Sequence, residues 1–380
     1  MIGDAPCPDQ ESITRSVEST AMRRLRWYWG ALVLACVALL AGFFVFFGSE
    51  SRPGHPQPRQ GPPGTGPLTV VAMGDSTVSG EGAGQYTAAT NGQGGNWCHR
   101  SPNAFVEKIT VPGVTAHVNL GCSGAPAEQV ALGDVKQWTE GSQAQQLAAL
   151  VKDHRVAAVV IAVGANDEPK FSNQVTECFK AWFNPGGPPC STALKQSWQS
   201  KVDAMVPKVA KAVSDVKTVL AQAGYVPADY QLILQSYAAP IGPDLPEDLR
   251  TLNGCPFRVE DLRWISQTGI GVLSSGLKAA ARESGARFLD LAKAGVKHEA
   301  CSGGANPATE WFTRLTLQLA DLGRTERAGH ALQESFHPNT AGHTAIANCV
   351  TEFIAARDGN ASCLAGADGK LHAAPEVVAR

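Results

Sequence analysis

Four short polar segments of this chain carry groups that could act on a bound substrate. One holds a serine, in Gly74-Asp75-Ser76, directly after the apolar run Leu68 to Met73. A serine at the exposed end of a buried strand becomes a nucleophile when a neighbouring base accepts its proton. Gly, Asp and Ser also form ordinary turns, so this tripeptide alone does not identify a site. A nucleophile needs a base and donors for an oxyanion elsewhere in the chain.

The other three segments could supply those groups. They are Gly121-Cys122-Ser123-Gly124, Gly164-Ala165-Asn166-Asp167 and His337-Pro338. The first two follow apolar runs, and the third follows the last long helical pattern. Ligands of open α/β sheets bind outside the carboxyl ends of the strands. We therefore expect all four segments to meet at one edge of a sheet.

The elements that must position these segments are short apolar runs alternating with longer helical patterns. Buried parallel strands are apolar throughout, whereas helices repeat apolar residues every three or four positions. The predicted strands are Leu68 to Met73, Ala116 to Gly121, Val156 to Val163, Tyr230 to Tyr237 and Ala286 to Leu291. The predicted helices are Gln143 to Lys152, Leu194 to Ala223 and Val259 to Ser284. This alternation indicates an α/β fold with a parallel sheet covered on both faces.

The four segments, in this order, resemble the blocks of the SGNH hydrolases in the GDSL esterase and lipase superfamily, close to its secreted actinobacterial branch. The nucleophile block runs from Gly74 to Gly82, and the glycine block is Cys122-Ser123-Gly124-Ala125. The asparagine block is Gly164-Ala165-Asn166-Asp167, and the histidine block is Ser335-Phe336-His337-Pro338. The resemblance implies a three-layer α/β/α fold of flavodoxin-like type, with a central parallel sheet of about five strands.

The resemblance also implies roles for individual residues. Ser76 would be the nucleophile and His337 the base, without a metal or cofactor. The Ser76 amide, the Gly124 amide and the Asn166 side chain would form the oxyanion hole. Histidine suits proton transfer near neutral pH, and fixed N–H donors stabilise the oxygen that becomes anionic during acyl transfer.

Glu334 is where the chain departs from the family pattern, which has Asp three residues before the histidine. Its carboxylate could orient the His337 imidazole as aspartate does. The main-chain carbonyl at that position could do so instead, or Glu334 could have a surface role. The carboxylate and the carbonyl would each fix the imidazole tautomer by a hydrogen bond, so the sequence leaves this choice open.

Eight cysteines lie after residue 90, and none forms a C-x-x-C pair. An even set of widely spaced cysteines indicates disulfides and an oxidising compartment. The resemblance to the secreted branch implies that neighbours in sequence pair. The pairs would be Cys98 with Cys122, Cys178 with Cys190, Cys255 with Cys301 and Cys349 with Cys363. The second pair would fix a Pro-rich loop with Trp182 and Phe183, a candidate acyl-binding wall.

The N-terminal part of the chain predicts a route to that compartment. Trp27 to Phe47 is an apolar run of 21 residues, long enough to span a bilayer, and Arg23, Arg24 and Arg26 precede it. Under the positive-inside rule, the N-terminus stays cytoplasmic and the rest lies outside. A cleaved signal peptide is the alternative, although no clear cleavage site follows Phe47.

Composition and these segments together predict the domain organisation. A net charge of −2 and 17% charged residues argue against nucleic-acid binding and fit a folded domain. We predict a cytoplasmic tail (1–22), a membrane anchor (23–48), a Pro/Gly-rich linker (49–67), an SGNH hydrolase domain (68–363) and a C-terminal tail (364–380). The oligomeric state does not follow from the sequence.

The predicted function is hydrolysis of a lipid or small acyl ester by an extracellular, membrane-anchored serine enzyme. Three alternatives keep the same fold: a carbohydrate O-deacetylase, an envelope acyltransferase, and a binding module without catalysis. A fold and a set of catalytic residues do not separate substrates, so the choice depends on the pocket.

Overall fold

The five predicted strands are the first five strands of one seven-stranded sheet. The computed structural model describes residues 61–318, 330–357 and 359–376, together with residues 29, 34 and 35. The strands are β1 (Leu68–Gly74), β2 (Ala116–Asn119), β3 (Arg155–Ala162), β4 (Gln231–Gln235), β5 (Arg287–Asp290), β6 (Ala361–Ala365) and β7 (Leu371–Pro375).

The order of the strands decides where a ligand can bind. It is β2-β1-β3-β4-β5-β6-β7, with β1 to β6 parallel and β7 antiparallel to β6. The chain passes from β1 outward to β2 and then crosses back to β3. A reversal of this kind opens a crevice at the carboxyl ends of the strands, as in flavodoxin-like sheets. The loops after β1, β2 and β3 are therefore neighbours at that crevice.

Alternation along the strands builds a core on each face of the sheet. Val71 and Met73 of β1 pack into one apolar cluster, whereas Val70 and Ala72 pack into the other. Successive side chains of a strand point to opposite faces, so an apolar strand needs cover on both sides. The two clusters confirm the predicted three-layer α/β/α arrangement.

Eight α-helices lie in the described ranges, more than the three that the sequence analysis predicted. They are α1 (Ser76–Ser79), α2 (Ala127–Val130), α3 (Gln143–Leu150), α4 (Phe171–Phe183), α5 (Cys190–Gln222), α6 (Val259–Trp264), α7 (Ile270–Ser284) and α8 (Thr340–Ala356). A π-helical turn, Ile265–Gly269, joins α6 to α7, so the predicted helix from Val259 to Ser284 is continuous but irregular. The helix α4 is one of those that were not predicted, and it contributes to the site described below.

The sheet has two more strands than the predicted five. The strands β6 and β7 form a hairpin on the β5 side, and β7 lies within residues 364–380, which the sequence analysis assigned to a tail. Their sequences, ASCLA and LHAAP, lack the β-branched and aromatic residues by which strands are usually recognised. Pairing with the neighbouring strand stabilises them in place of local propensity.

The predicted N-terminal segments lie mostly outside the described residues. This applies to the cytoplasmic tail (1–22), to the anchor (23–48) apart from residues 29, 34 and 35, and to the linker before residue 61. Over the part of the chain that is described, no helix has both the length and the apolar character needed to cross a membrane.

All four predicted disulfides are present, each joining cysteines that are neighbours in sequence: Cys98–Cys122, Cys178–Cys190, Cys255–Cys301 and Cys349–Cys363. The first joins the loop before β2 to the loop after it. The last joins α8 to β6. The predicted pairing is confirmed.

Candidate active site

Ser76 lies at the first residue of α1, where β1 turns sharply into a helix. Gly74 ends the strand with φ +140°, and a Cβ there would lie 1.9 Å from the Ala162 carbonyl oxygen. Only glycine permits this close approach of β1 to β3. Asp75 then caps α1, because its Oδ1 accepts the Thr77 amide at 3.1 Å. The turn presents Ser76 at the carboxyl end of the sheet.

His337 lies against Ser76 although the two are far apart in the sequence. The distance from its Nε2 to the Ser76 Oγ is 2.8 Å, and its Nδ1 lies 3.2 Å from the Ser335 carbonyl oxygen. A carbonyl oxygen can only accept, so the Nδ1 must carry the proton when the ring is neutral. The Nε2 is then free to accept the proton of the Ser76 hydroxyl.

An unusual backbone conformation sets the position of His337. Phe336 has φ +62°, a left-handed conformation that is uncommon for a bulky residue. Hydrogen bonds to Thr313 hold the turn: the Phe336 amide donates to the Thr313 carbonyl at 3.1 Å, and the Thr313 amide donates to the His337 carbonyl at 2.9 Å. The helix α8 follows at once, capped by the Asn339 side chain. The loop is thus fixed on both sides of the histidine.

The carboxylate of Glu334 does not orient the imidazole. Its Oε2 accepts a hydrogen bond from the Gln318 Nε2 at 2.7 Å, while its backbone carbonyl accepts from the Thr313 Oγ1 at 2.5 Å. The partner of the His337 Nδ1 is the carbonyl of Ser335. The assignment of the Glu334 side chain as the acid partner is therefore corrected to a main-chain carbonyl, which the left-handed turn at Phe336 directs toward the ring.

The three residues predicted to supply N–H donors for an oxyanion line one cavity. Gly124, with φ +82°, and Asn166 line the same cavity as Ser76 and His337. Within the described ranges, neither the Ser76 amide nor the Gly124 amide donates a hydrogen bond to another protein group. The Asn166 Nδ2 makes only long contacts, 3.3 Å to the Ala125 carbonyl and 3.5 Å to the Asp75 Oδ2. These donors are therefore available to form hydrogen bonds with a substrate oxygen.

Asp75 is a buried residue whose carboxylate contacts groups next to the site. Its side chain is buried, and its Oδ2 lies 2.5 Å from the Tyr237 hydroxyl, which also accepts the Ala165 amide at 3.3 Å. Burial raises the pKa of Asp75 to about 7, against the lowering effect of the hydrogen bonds from Tyr237 and Thr77. These contacts, with the cap on α1, stabilise the turn that presents Ser76.

A deep cavity of about 540 Å³ opens beside the serine. Its polar end holds Ser76, Gly124, Asn166 and His337, and the rest of its wall is largely apolar. The apolar residues include Phe171, Val175, Phe179, Ile270, Leu273, Phe312, Leu315 and Phe336. This volume falls within the range of pockets for small organic ligands.

The apolar wall replaces the one predicted at Trp182 and Phe183. These two aromatics belong to the end of α4, and neither lines the cavity; the Phe183 side chain is exposed. The wall comes instead from Phe171, Val175 and Phe179, one turn apart on the same helix. Their spacing of four residues is visible in the sequence and could have identified this helix and its apolar face.

Among the described residues, one cluster has groups close enough to share a metal ion: Cys178, Cys190 and Asp261. The two cysteines are bonded to each other, so their sulfurs are not thiolate ligands. The Asp261 carboxylate instead accepts the backbone amides of Cys190 and Ser191 at the start of α5. This cluster is structural.

A sequence profile of the GDSL-like lipase/acylhydrolase family matches residues 72–345, which contain all four blocks. The chain belongs to this family. The predicted membership is confirmed, and membership supports an ester hydrolase. A protein described as Lipase 2 of Streptomyces coelicolor is 25% identical over 309 residues, covering 79% of this chain and 89% of that one.

Two solved structures are also similar to this GDSL-family chain. The extracellular lipase of Streptomyces rimosus is 20% identical with a TM-score of 0.44, and it covers 73% of this chain and 95% of its own. Phospholipase A1 of Streptomyces albidoflavus is 20% identical with a TM-score of 0.42 and the same coverages of 73% and 95%.

Proposed function

We propose that this chain is an extracytoplasmic serine hydrolase that cleaves carboxylic esters with an apolar acyl group through an acyl-Ser76 intermediate. The observation that carries the proposal is the contact of 2.8 Å between the Ser76 Oγ and the His337 Nε2 at the polar end of an apolar cavity. A nucleophile, a base held in one tautomer and unpaired amide donors are the parts that acyl transfer requires.

The first half of the reaction acylates the serine. The Ser76 Oγ attacks the ester carbonyl carbon as the His337 Nε2 accepts its proton. The carbonyl oxygen becomes an oxyanion and accepts hydrogen bonds from the Ser76 amide, the Gly124 amide and the Asn166 Nδ2. The tetrahedral intermediate then expels the alcohol oxygen, which takes the proton from the imidazolium. The acyl group remains bonded to Ser76.

Water completes the second half along the same path. The His337 Nε2 accepts a proton from a water molecule as that water attacks the acyl carbon. The same three donors stabilise the second oxyanion, and its collapse releases the carboxylic acid and returns the proton to Ser76. The Ser335 carbonyl holds the ring in place in both halves, because the Nδ1–H keeps donating to it.

The apolar part of the cavity wall supports lipid or other acyl esters rather than sugar acetates. Phe171, Val175 and Phe179 of α4 line the cavity, with the polar Ser172, Asn173 and Thr176 beside them. Burying an acyl chain there gains about 0.8 kcal/mol for each CH₂ group removed from water. An acetyl group leaves most of this surface unfilled. We therefore expect kcat/KM to rise with acyl length until the cavity is full.

The test compares the wild-type chain with the variant Ser76→Ala on 4-nitrophenyl esters from acetate to palmitate. We expect ester cleavage that prefers medium or long acyl groups in the wild type and is lost in the variant. A fluorophosphonate probe should label the wild-type serine and leave S76A unlabelled. Cleavage that survives the substitution would contradict the mechanism, and a strict preference for acetate would contradict the acyl-chain proposal.

The remaining alternatives are outcomes of the same assays. An acyltransferase would form a new ester when a sugar or glycerol acceptor is added, and mass spectrometry of the products would detect it. A binding module would give neither cleavage nor fluorophosphonate labelling. Both results would leave the fold unchanged and replace only the assigned reaction.

The site of action is proposed from the N-terminal sequence and the disulfides. The apolar run from Trp27 to Phe47, preceded by three arginines, supports a single-pass anchor with the hydrolase domain outside the cytoplasm. Four disulfides in the domain support an oxidising compartment. If the anchor is retained, the full-length chain stays in the membrane after alkaline extraction. Release as a shorter chain would favour signal cleavage and secretion.

A further inference from the structure

The His337 imidazole lacks the acidic partner that commonly stabilises its charged form. The imidazole becomes a cation each time it accepts the serine or water proton. The Ser335 carbonyl at its Nδ1 fixes the tautomer but carries no net charge. The Glu334 carboxylate, three residues before the histidine, is held by Gln318. A second negative charge that could compensate the imidazolium comes from the turn after the nucleophile.

Glu81, in the turn after the nucleophile, is a fully buried carboxylate. Its backbone amide donates to the Ser76 carbonyl at 3.1 Å. The next residue, Gly82, packs directly on the base, since a Cβ at that position would lie 2.9 Å from the His337 Cβ. Glu81 is thus anchored to the nucleophile on one side, and its neighbour contacts the histidine on the other.

Four side chains donate to the Glu81 carboxylate, and they come from three separate loops. They are the His99 Nδ1 at 2.9 Å, the Ser123 Oγ at 2.5 Å, the Gln333 Nε2 at 2.8 Å and the Tyr86 hydroxyl at 3.2 Å. Ser123 precedes the oxyanion residue Gly124, and Gln333 lies four residues before His337. A buried carboxylate with this many donors is stabilised as an anion. It also joins the loops that carry the catalytic groups.

The electrostatics of the pair agree with the geometry. Burial lowers the pKa of His337, and the charge of Glu81 is the largest effect opposing that shift, ahead of the Ser335 carbonyl and the Glu334 charge. Burial would raise the pKa of Glu81, but the hydrogen bond and charge of His99, together with His337, hold it below its usual range. His99 also acts on His337, in the opposite direction to Glu81.

We propose that Glu81 is a positioning residue that supplies the counter-charge for the His337 imidazolium and fixes the Ser123 and Gln333 loops around it. This inference rests on the proposed function for its kinetic consequence. The Ser335 carbonyl remains the partner of the Nδ1, so the Glu81 charge stabilises the cation through space without taking its proton. In this chain the acidic residue that stabilises the imidazolium thus belongs to the nucleophile block, in place of one near the histidine block.

The decisive variant is Glu81→Gln in the full-length chain in detergent, which keeps the size of the side chain and removes its charge. We expect the acid limb of kcat/KM to move to lower pH by about one unit, because a nearby opposite charge typically shifts a pKa by one or more units. We expect kcat on its plateau to fall about tenfold, because a one-unit shift corresponds to a factor of ten. The conservative variant Glu81→Asp keeps the charge and should recover most of both.

The matched control is Asp261→Asn, which neutralises another fully buried carboxylate, one that accepts backbone amides at the start of α5. It should lower the melting temperature without moving the acid limb. An acid limb that stays in place in E81Q would overturn the proposal, since a purely structural role leaves that midpoint unchanged. If E81Q does not fold, E81D decides, because its shorter side chain moves the charge: a small shift of the acid limb to lower pH supports the proposal, and an acid limb identical to that of the wild type overturns it.

Failure of the proposed function would be visible separately. A wild-type chain that neither cleaves esters nor reacts with fluorophosphonate would refute that function. The Glu81 inference would then be tested on the titration of His337, followed by NMR of histidine-labelled wild type and E81Q and assigned with His337→Ala. A lower midpoint in E81Q supports the electrostatic pairing, and an identical midpoint overturns it.

Discussion

The turn that carries Ser76 and the loop that carries His337 reach the same site by different structural means. Ser76 follows a central strand and begins a helix, so backbone pairing with β3 and the Asp75 cap fix its position. His337 lies in a loop without regular structure, held by the left-handed turn at Phe336 and by hydrogen bonds to Thr313. One half of the site is built by the sheet and the other by a strained loop.

This difference teaches where each half is vulnerable. The nucleophile turn depends on space, because Gly74 lies against the backbone of β3. The histidine loop depends on a few polar contacts and on a conformation that costs roughly 1 to 3 kcal/mol unless its surroundings enforce it. Substitutions in the first half should therefore affect folding, and substitutions in the second should affect catalysis more than stability.

The largest expected effect is on the histidine side. In His337→Ala, we expect kcat to fall roughly 1,000-fold or more, because no other group accepts the Ser76 proton. The melting temperature should change little. The control is His372→Ala, which removes an imidazole on β7 that pairs with Glu352 outside the cavity. Steady-state kinetics and thermal unfolding of both variants test this prediction, and retained turnover in H337A would refute the assignment of the base.

The second largest effect is expected for the hydrogen-bond donors to the oxyanion. In Asn166→Ala, we expect kcat to fall about 100- to 1,000-fold with little change in KM, because one donor to the oxyanion is lost. Asn103→Ala is the matched control, since its Nδ2 donates to the Ala83 carbonyl at 3.3 Å outside the cavity. Equal losses in the two variants would argue against an oxyanion role for Asn166.

A substitution in the nucleophile turn should act on stability. In Gly74→Ala, the new Cβ would meet the Ala162 carbonyl oxygen, so we expect the free energy of unfolding to fall by about 2 to 4 kcal/mol. Gly84→Ala separates collision from backbone strain, because Gly84 also has a positive φ, +67°, but has open space around it. Chemical denaturation measures both variants. Equal destabilisation would mean that strain alone accounts for the loss.

The smallest effect is expected at Glu334. In Glu334→Gln, we expect kcat/KM to stay within about threefold of the wild type, as for the loss of one partly exposed charge. The acid limb should move slightly to lower pH, because the Glu334 charge raises the pKa of His337 less than Glu81 does. A pH profile compared with that of E81Q tests this order. A larger shift of the acid limb in E334Q than in E81Q would mean that Glu334, and not Glu81, is the main acidic partner of His337.

The sequence predicted the half of the site that the sheet builds, and it did so for a physical reason. Apolar runs such as Leu68 to Met73 must be buried strands, and the polar residues after them must then lie at one edge. The strands β6 and β7 escaped prediction because pairing, rather than their own composition, stabilises them. Boundaries of the five central strands and of the longest helices were close to those observed.

The partner of His337 was beyond the reach of sequence patterns. Every residue has a carbonyl, so the role of Ser335 depends on one backbone dihedral at Phe336 that no local motif specifies. Glu334 was visible as a carboxylate at the expected spacing, but spacing does not determine where a side chain points. Glu81 was visible in the sequence as an acidic residue inside a Gly-rich turn. Only the structure shows that it is buried, which distinguishes it from an ordinary surface carboxylate.

The order of the disulfides has a consequence for how the chain is made. Each pair joins one cysteine to the next along the chain, with separations of 24, 12, 46 and 14 residues and no interleaving. Under the proposed export, the domain emerges from a translocation channel N-terminal end first. The first cysteine of each pair is therefore followed out of the channel by its native partner before any other cysteine emerges. Oxidation during translocation therefore produces the native connectivity in order, without a disulfide isomerase to correct it.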